Sequence, residues 1–362
     1  MAGVRPEADL TGVRPEAGMT GTVTASLIPA DGTDLYAERR GSGPPVLLIP
    51  GGGGDCGLFG ELAELLAEAG YTVLSYDRRG NSRSRLHQPP VPITISGQSD
   101  DAAAVLRASG LAPAVIFGSS GGANIALELT ARQPRLVTAV VAHEPPVPRV
   151  LPESDRHLAA YAEIDRILLA EGWEPAFWRF QEFIGRVPAA TRPAGATGST
   201  VPVTTGSAGT TGRRPAQPRP VRLDLERMKR LHGNWEYLMR FEMQPFIRYL
   251  PDTGRIAASR IPVAVAVGAD TIALAGRVDP AGPRYDPVGQ CTVVAARLGT
   301  RVTEFPGGHF APTELPGPFA ARLARLLSEL GAAPADLAGR GSGAGRGGQP
   351  GPEAAGLGTA PP

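Results

Sequence analysis

The sequence predicts an α/β fold: a mostly parallel, doubly wound sheet with a helical segment inserted between two of its strands. Three observations carry this. Short apolar runs alternate with helix-period segments of ordinary length, as in βαβ units. The runs are apolar throughout instead of at every second residue, as expected of strands covered on both faces. The rhythm breaks once, over residues 147–250, where no strand-like run occurs.

In chain order, Val46–Ile49 is a strand that runs into Pro50 and four glycines. Leu58–Ala69 has apolar residues at helical spacing and stops at Gly70. Tyr71–Tyr76 reads as strand, Asp101–Ser109 as helix, Ala114–Phe117 as strand and Ala123–Arg132 as helix. Leu136–Ala142, Ile261–Val267 and Val302–Phe305 are further strands, with helices at Gly289–Leu298 and Phe319–Leu330. The expected core is therefore 21–146 with 251–331, and 147–250 is a helical subdomain carrying 11 of the 20 aromatic residues.

Three stretches are too rich in Gly and Pro, and too poor in aromatics, to offset their chain entropy by burial. Residues 1–20, which contain GVRPEA twice, and residues 332–362 are expected to be tails; 189–221 is expected to be a flexible insertion within the helical segment. Elsewhere the 42% hydrophobic content is enough for a core, despite 47 Gly and 37 Pro in 362 residues.

Composition excludes several classes of function. The net charge is +1, from 36 basic and 35 acidic residues, so no strong field would draw nucleic acid or anionic lipid. Two cysteines, Cys56 and Cys291, make neither a disulfide framework nor a cysteine-built zinc site. No metal or organic cofactor is expected, and the partner expected is a small-molecule substrate. No apolar run reaches the ~20 residues a bilayer demands. The first twenty residues lack the apolar stretch of a secretory signal, so a cytoplasmic location is expected.

The chemistry is expected at AVIFGSSGGAN, residues 114–124. Here Gly118-Ser119-Ser120-Gly121-Gly122 is a GxSxG motif between a strand and a helix. That context makes it a nucleophile elbow: small neighbours allow a sharp turn that lifts the Ser120 hydroxyl clear of the sheet. The helix that follows aims its first N–H groups at the same place, so the Gly121 amide can stabilise an oxyanion. A second donor is expected from Gly52 or Gly53. The glycine run there lacks the Lys-Ser/Thr of a phosphate-binding loop.

A serine needs a base. Of five histidines, His309 sits in EFPGGHFAPTE, directly after the last strand, where α/β sheets place their chemistry. His143 also follows a strand and is its competitor. For the acid that orients the imidazole, Asp270 ends VAVAVGAD and satisfies a Ser–acid–His order; Asp279, Asp286 and, above all, Glu144 are alternatives.

Four segments resemble the α/β-hydrolase superfamily across residues 22–330: VLLIPGGGGD, SYDRRGNSRS, GSSGG and the terminal GGH. The usual His-Gly of the first is replaced by Gly51-Gly52. In the second, Asp77 and the arginines are expected to brace a turn. The wording around the elbow and NWEYLMRFEMQPFIRYLPD is similar to uncharacterised capped α/β-fold hydrolases of actinobacteria. The resemblance implies a sheet of about eight strands with 147–250 as a helical cap inserted after the sixth, and a Ser-His-Asp triad that cleaves an ester-like bond (carboxylic ester, lactone or thioester). It equally accommodates a perhydrolase, a C–C hydrolase, a lyase, or a ligand-binding or signalling protein with little turnover. In the cap, Trp173, Phe177, Trp178, Trp235 and Phe241 are expected to favour an apolar acyl or alcohol group.

Overall fold

The computed structural model describes residues 22–152, 154–184, 225–275 and 285–334. The expected tail at 1–20 and insertion at 189–221 lie outside the described residues, as does the expected C-terminal tail from 335 onward.

Nine strands form one sheet: β1 (Thr24–Ala30), β2 (Thr33–Arg40), β3 (Pro45–Ile49), β4 (Thr72–Tyr76), β5 (Arg85–Leu86), β6 (Ala114–Ser119), β7 (Val137–His143), β8 (Val263–Gly268) and β9 (Val302–Phe305). Their spatial order is β1-β2-β4-β3-β6-β7-β8-β9, with β5 paired to β2. From β4 to β9 every pairing is parallel; β1, β2 and β5 are joined antiparallel. The order reverses direction around β3, so the crossovers lay helices on both faces.

The two faces follow from the period of two along each strand. Leu47, Ile49, Ile116, Val140 and Val265 enter one core, under α2 (Ile95–Ala108), α3 (Gly121–Arg132) and α10 (Pro287–Arg297). Val46, Leu48, Val115, Phe117, Val141 and Ala266 enter the other, under α1 (Gly60–Glu68) and α12 (Pro316–Glu329). Burial on both sides explains why these strands lack polar alternation.

Two elements depart from the sequence expectation. The β1–β2 hairpin was not expected, yet its turn is legible: Ala30 pairs with Thr33, leaving Asp31-Gly32 as a two-residue loop with Gly32 at φ +72°. The helix expected from Asp101 begins at Ile95, because the Thr94 hydroxyl accepts the Gly97 N–H at 3.0 Å and caps it.

Between β7 and β8 the described chain is helical: α4 (Ser154–Glu171), α5 (Trp173–Phe183), α6 (Leu225–Tyr237), a π-helical turn at Leu238–Glu242, α7 (Met243–Arg248) and α8 (Thr253–Ser259). This insertion follows the seventh strand in chain order, or the sixth when the two-residue β5 is set aside. Pro245 accounts for the wide turn. It has no N–H for the Phe241 carbonyl, which instead accepts the Ile93 N–H at 3.3 Å. Two short helices complete the core: α9 (Ala269–Ala275), directly after β8, and α11 (Ala311–Glu314). Among the described residues no helix is long and apolar enough to cross a membrane.

Candidate active site

Ser120 stands between β6 and α3 with φ 54° and ψ −126°. A non-glycine residue in this region is strained, and such residues persist where the surroundings over-determine them. Two constraints do so here. The Ser120 N–H donates to the His143 carbonyl at 2.8 Å. Behind it, α3 presses so closely on β3 that a Cβ on Gly122 would collide with the Ile49 carbonyl. Gly51 lies against the serine: a Cβ there would be 3.5 Å from Ser120 Oγ.

The next strand along, β7, ends on His143, and Glu144 follows it with φ 47°. That turn sends the Glu144 carboxylate inward, where Oε1 accepts the Gly268 N–H at 2.9 Å and Oε2 meets His309 Nδ1 at 2.6 Å. Glu144 is fully buried and the His309 side chain is 18% exposed. Burial alone would push the Glu144 carboxyl up; the His309 hydrogen bond and charge, with His143 and the Gly268 amide, outweigh it and hold the group at about 2. Among the described residues His309 Nε2 has no hydrogen-bond partner, and its ring is flanked edge-on by Phe310 and Tyr285 at 5.0 and 6.2 Å between centroids.

This corrects the expected acid. Asp270 does not meet His309. β8 runs directly into α9, so Asp270 lies in the first turn of a helix with its side chain exposed. Its contribution is a backbone one: its N–H donates to the Gly307 carbonyl at 2.9 Å and so anchors the loop that carries His309. The carboxylate at the imidazole is Glu144, which keeps the Ser–acid–His order. Of the other two alternatives, Asp286 instead caps α10 by accepting the Gly289 N–H at 2.8 Å, and Asp279 lies outside the described residues.

His143, the rival base, is placed where it cannot serve one. It is completely buried among Phe117, Phe305 and Phe319, with Nδ1 at 3.1 Å from Ser119 Oγ. Burial depresses its pKa to about 4, against an opposing pull from Glu144, so it is neutral at pH 7. Its ring stacks 6.4 Å from that of His309.

The helix running from α6 to α7 lies across the glycine loops. A Cβ on Gly53 would be 2.6 Å from the Trp235 indole, one on Gly52 2.6 Å from Leu238, and one on Gly121 2.6 Å from the Phe246 ring. The missing side chains are thus replaced by residues of the inserted helices as well as leaving the amides bare. Among the described residues the Gly52 and Gly53 N–H groups have no hydrogen-bond partner, and Gly121 opens a helix, where the first N–H groups lack intrahelical acceptors. Phe177 stacks on Trp235 at 5.0 Å, and Trp173 packs edge-on to Phe177 at 6.4 Å. Trp178 packs edge-on to Phe177 at 6.2 Å, and Phe241 packs on Tyr237 at 5.1 Å. Phe246 belongs to the second aromatic cluster of the sequence, with Trp235, Tyr237, Phe241 and Tyr249, but Leu238 was not singled out. Its spacing from Trp235 (i, i+3) on one helical face was the available signal.

A family model described as alpha/beta hydrolase fold matches residues 44–166. An uncharacterised hydrolase, YraK, of Bacillus subtilis is 42% identical over 124 residues, covering 34% of this chain and 45% of the relative. Over this segment the chain is similar to α/β-hydrolases, and its sheet and helices are those of the alpha/beta hydrolase fold. A zearalenone hydrolase of Cladophialophora bantiana is 33% identical over 150 residues, covering 40% of this chain and 56% of the relative. The match thus spans about half the length of these curated relatives. Among solved structures, a carboxylesterase of Nitrososphaera gargenis superposes with a TM-score of 0.54 over 85% of this chain and 99% of its own, at 17% identity. The likeness to the solved structure is one of fold, while the family model covers the segment that contains the elbow.

Proposed function

We propose that the protein is a serine hydrolase that cleaves a carboxylic ester, lactone or thioester of a small, apolar substrate through an acyl-enzyme. The observation that carries this is the 2.6 Å contact between His309 Nδ1 and the buried Glu144 carboxylate, at the same end of the sheet as the strained Ser120. Glu144 fixes the tautomer with the proton on Nδ1, so Nε2 is the basic nitrogen. As Ser120 Oγ bonds to the substrate carbonyl carbon, its proton passes to His309 Nε2. The Gly121 amide and that of Gly52 or Gly53 receive the oxyanion. Collapse of the tetrahedral intermediate returns the proton to the departing alcohol or thiol. Water then repeats the sequence on the acyl-serine and releases the acid.

Trp235, Leu238 and Phe246 offer the substrate an apolar surface beside the serine, with Phe177 and Trp173 behind Trp235 and Trp178 and Phe241 further out. One relative is named a zearalenone hydrolase, so zearalenone belongs in the first substrate panel together with p-nitrophenyl esters of graded chain length. Ser120→Ala is expected to lower turnover about 10³-fold or more on whichever substrate is accepted. Undiminished hydrolysis by purified Ser120→Ala protein overturns the proposal.

A further inference from the structure

Arg78 was expected to brace a turn, yet its surroundings are those of a functional group. It follows β4 and is 1% exposed. Its guanidinium is shared among four elements. Nη2 donates to the Gly51 carbonyl at 2.9 Å and to Glu242 Oε2 at 3.1 Å. Nη1 donates to Gln98 Oε1 at 2.8 Å and also contacts Glu242 Oε1. The guanidinium carbon lies 5.5 Å from the centre of the Phe246 ring, the ring that covers Gly121. Glu242 is itself completely buried at the end of the π-helical turn.

We infer that Arg78, clamped by Glu242, is a positioning residue that sets the direction of the Gly52 N–H and so makes the oxyanion site depend on the seating of the cap. The inference rests on the serine-hydrolase reading above. Its physical basis is the planar trans peptide. The Gly51 C=O and the Gly52 N–H belong to one rigid unit and point in opposite directions, so holding the carbonyl aims the amide. Gly51 O is held twice, by Arg78 and by the Gly54 N–H at 3.1 Å. Only the first of these bonds answers to the cap, because Glu242 grips Arg78, and Asn81 beside it, but not the Gly54 amide.

Trp235, Leu238, Glu242 and Phe246 recur every three to four residues along the helix and meet Gly53, Gly52, Arg78 and Gly121. One helical face therefore touches all three candidate oxyanion donors and the group that aims one of them. A completely buried ion pair is weak evidence for stability, since its desolvation cancels much of its attraction. Precision of geometry is the better account of why a charge pair stands where apolar packing would hold the cap as firmly. Arg suits the task because its planar fork presents donors to a carboxylate and a carbonyl in fixed directions, whereas the lysine ammonium is a rotatable point charge.

The test uses the full-length protein, a fluorophosphonate probe and a p-nitrophenyl ester. In labelling, Ser120 Oγ bonds to phosphorus, fluoride leaves and the serine proton passes to His309. The variants are Arg78→Lys, Glu242→Gln and the double variant Arg78→Met with Glu242→Met, which removes both charges and leaves neither buried alone. Each single variant is expected to lose about 10- to 100-fold in kcat and in the maximal labelling rate, with KM changed less than threefold and the pH profile unmoved, since His309 and Glu144 are untouched. The double variant is expected to melt within a few degrees of wild type and still react slowly, because methionine cannot hold the Gly51 carbonyl.

A double variant that folds and recovers wild-type kcat overturns the inference, since the pair would then only fasten the cap. If a single variant does not fold, the double variant decides. Failure of the underlying reading looks different: wild-type protein that takes no label at Ser120 overturns the serine-hydrolase proposal itself.

Discussion

Two adjacent strands end beside the candidate site on an acidic residue, and the two ends behave in opposite ways. After β7, Glu144 takes φ 47°, turns its carboxylate inward and is gripped by Gly268 N–H and His309. After β8, the chain enters α9 without a turn, and Asp270 carries its carboxylate to solvent while its amide holds Gly307. Both acids lie between the serine and the histidine in chain order, so order alone does not choose between them. The choice is made by what the backbone does in the first residues past the strand. A left-handed residue there folds the side chain back over the sheet edge; a helix start swings it out.

The sharpest way to break this comparison is to neutralise each acid in turn. Glu144→Gln keeps the shape but lets the imidazole adopt the wrong tautomer, and kcat should fall about 10³- to 10⁴-fold. Asp270→Asn should leave kcat within about twofold, because an exposed side chain outside the site contributes little. Steady-state assays of the two proteins side by side decide it, and equal losses, or a larger loss for Asp270→Asn, would return the acid's role to β8.

A second effect separates the two stacked histidines. His143 is neutral in the fold with a pKa near 4, against 6.5 ordinarily, so between those values the unfolded chain binds more protons than the native one. Stability should therefore drop as pH falls from 6.5 towards 4, by roughly 3 kcal/mol in all. Urea titrations of wild type and His143→Gln should show the slope in this window flattened in the variant. Glu144 acts in the same direction lower down: its carboxyl is held near 2 instead of 4.5, and that stabilisation is lost as pH falls from 4.5 through 2. The smallest effect belongs to Asp270→Ala, expected to shift unfolding free energy by no more than about 0.5 kcal/mol. A larger shift would mean that the carboxylate, and not only the amide, supports the loop to His309.

Much of the fold was legible because its signals are local. Apolar runs located β3, β4, β6, β7, β8 and β9, and the Gly-Ser-Ser-Gly-Gly turn between a strand and a helix located Ser120. The hairpin at the start was overlooked although Asp31-Gly32 announced it; its first strand is half exposed, so it lacks the apolar density that marked the others. Arg78 was legible as part of a turn but not as a bridge, because its partner Glu242 is 164 residues away.

The sequence by itself determined six of the sheet's nine strands, the serine at the turn after β6, and a histidine on the loop after the last strand, since each depends on residue period or on turn chemistry within a few positions. Which carboxylate meets that histidine, and which cap residues cover the glycine loops, was decided only by the tertiary structure. Glu144 and His309 lie 165 residues apart, and their contact exists because parallel pairing sets β7, β8 and β9 side by side with their ends level. No local pattern encodes that neighbourhood; it follows from the order of the strands and from one left-handed residue at the end of β7.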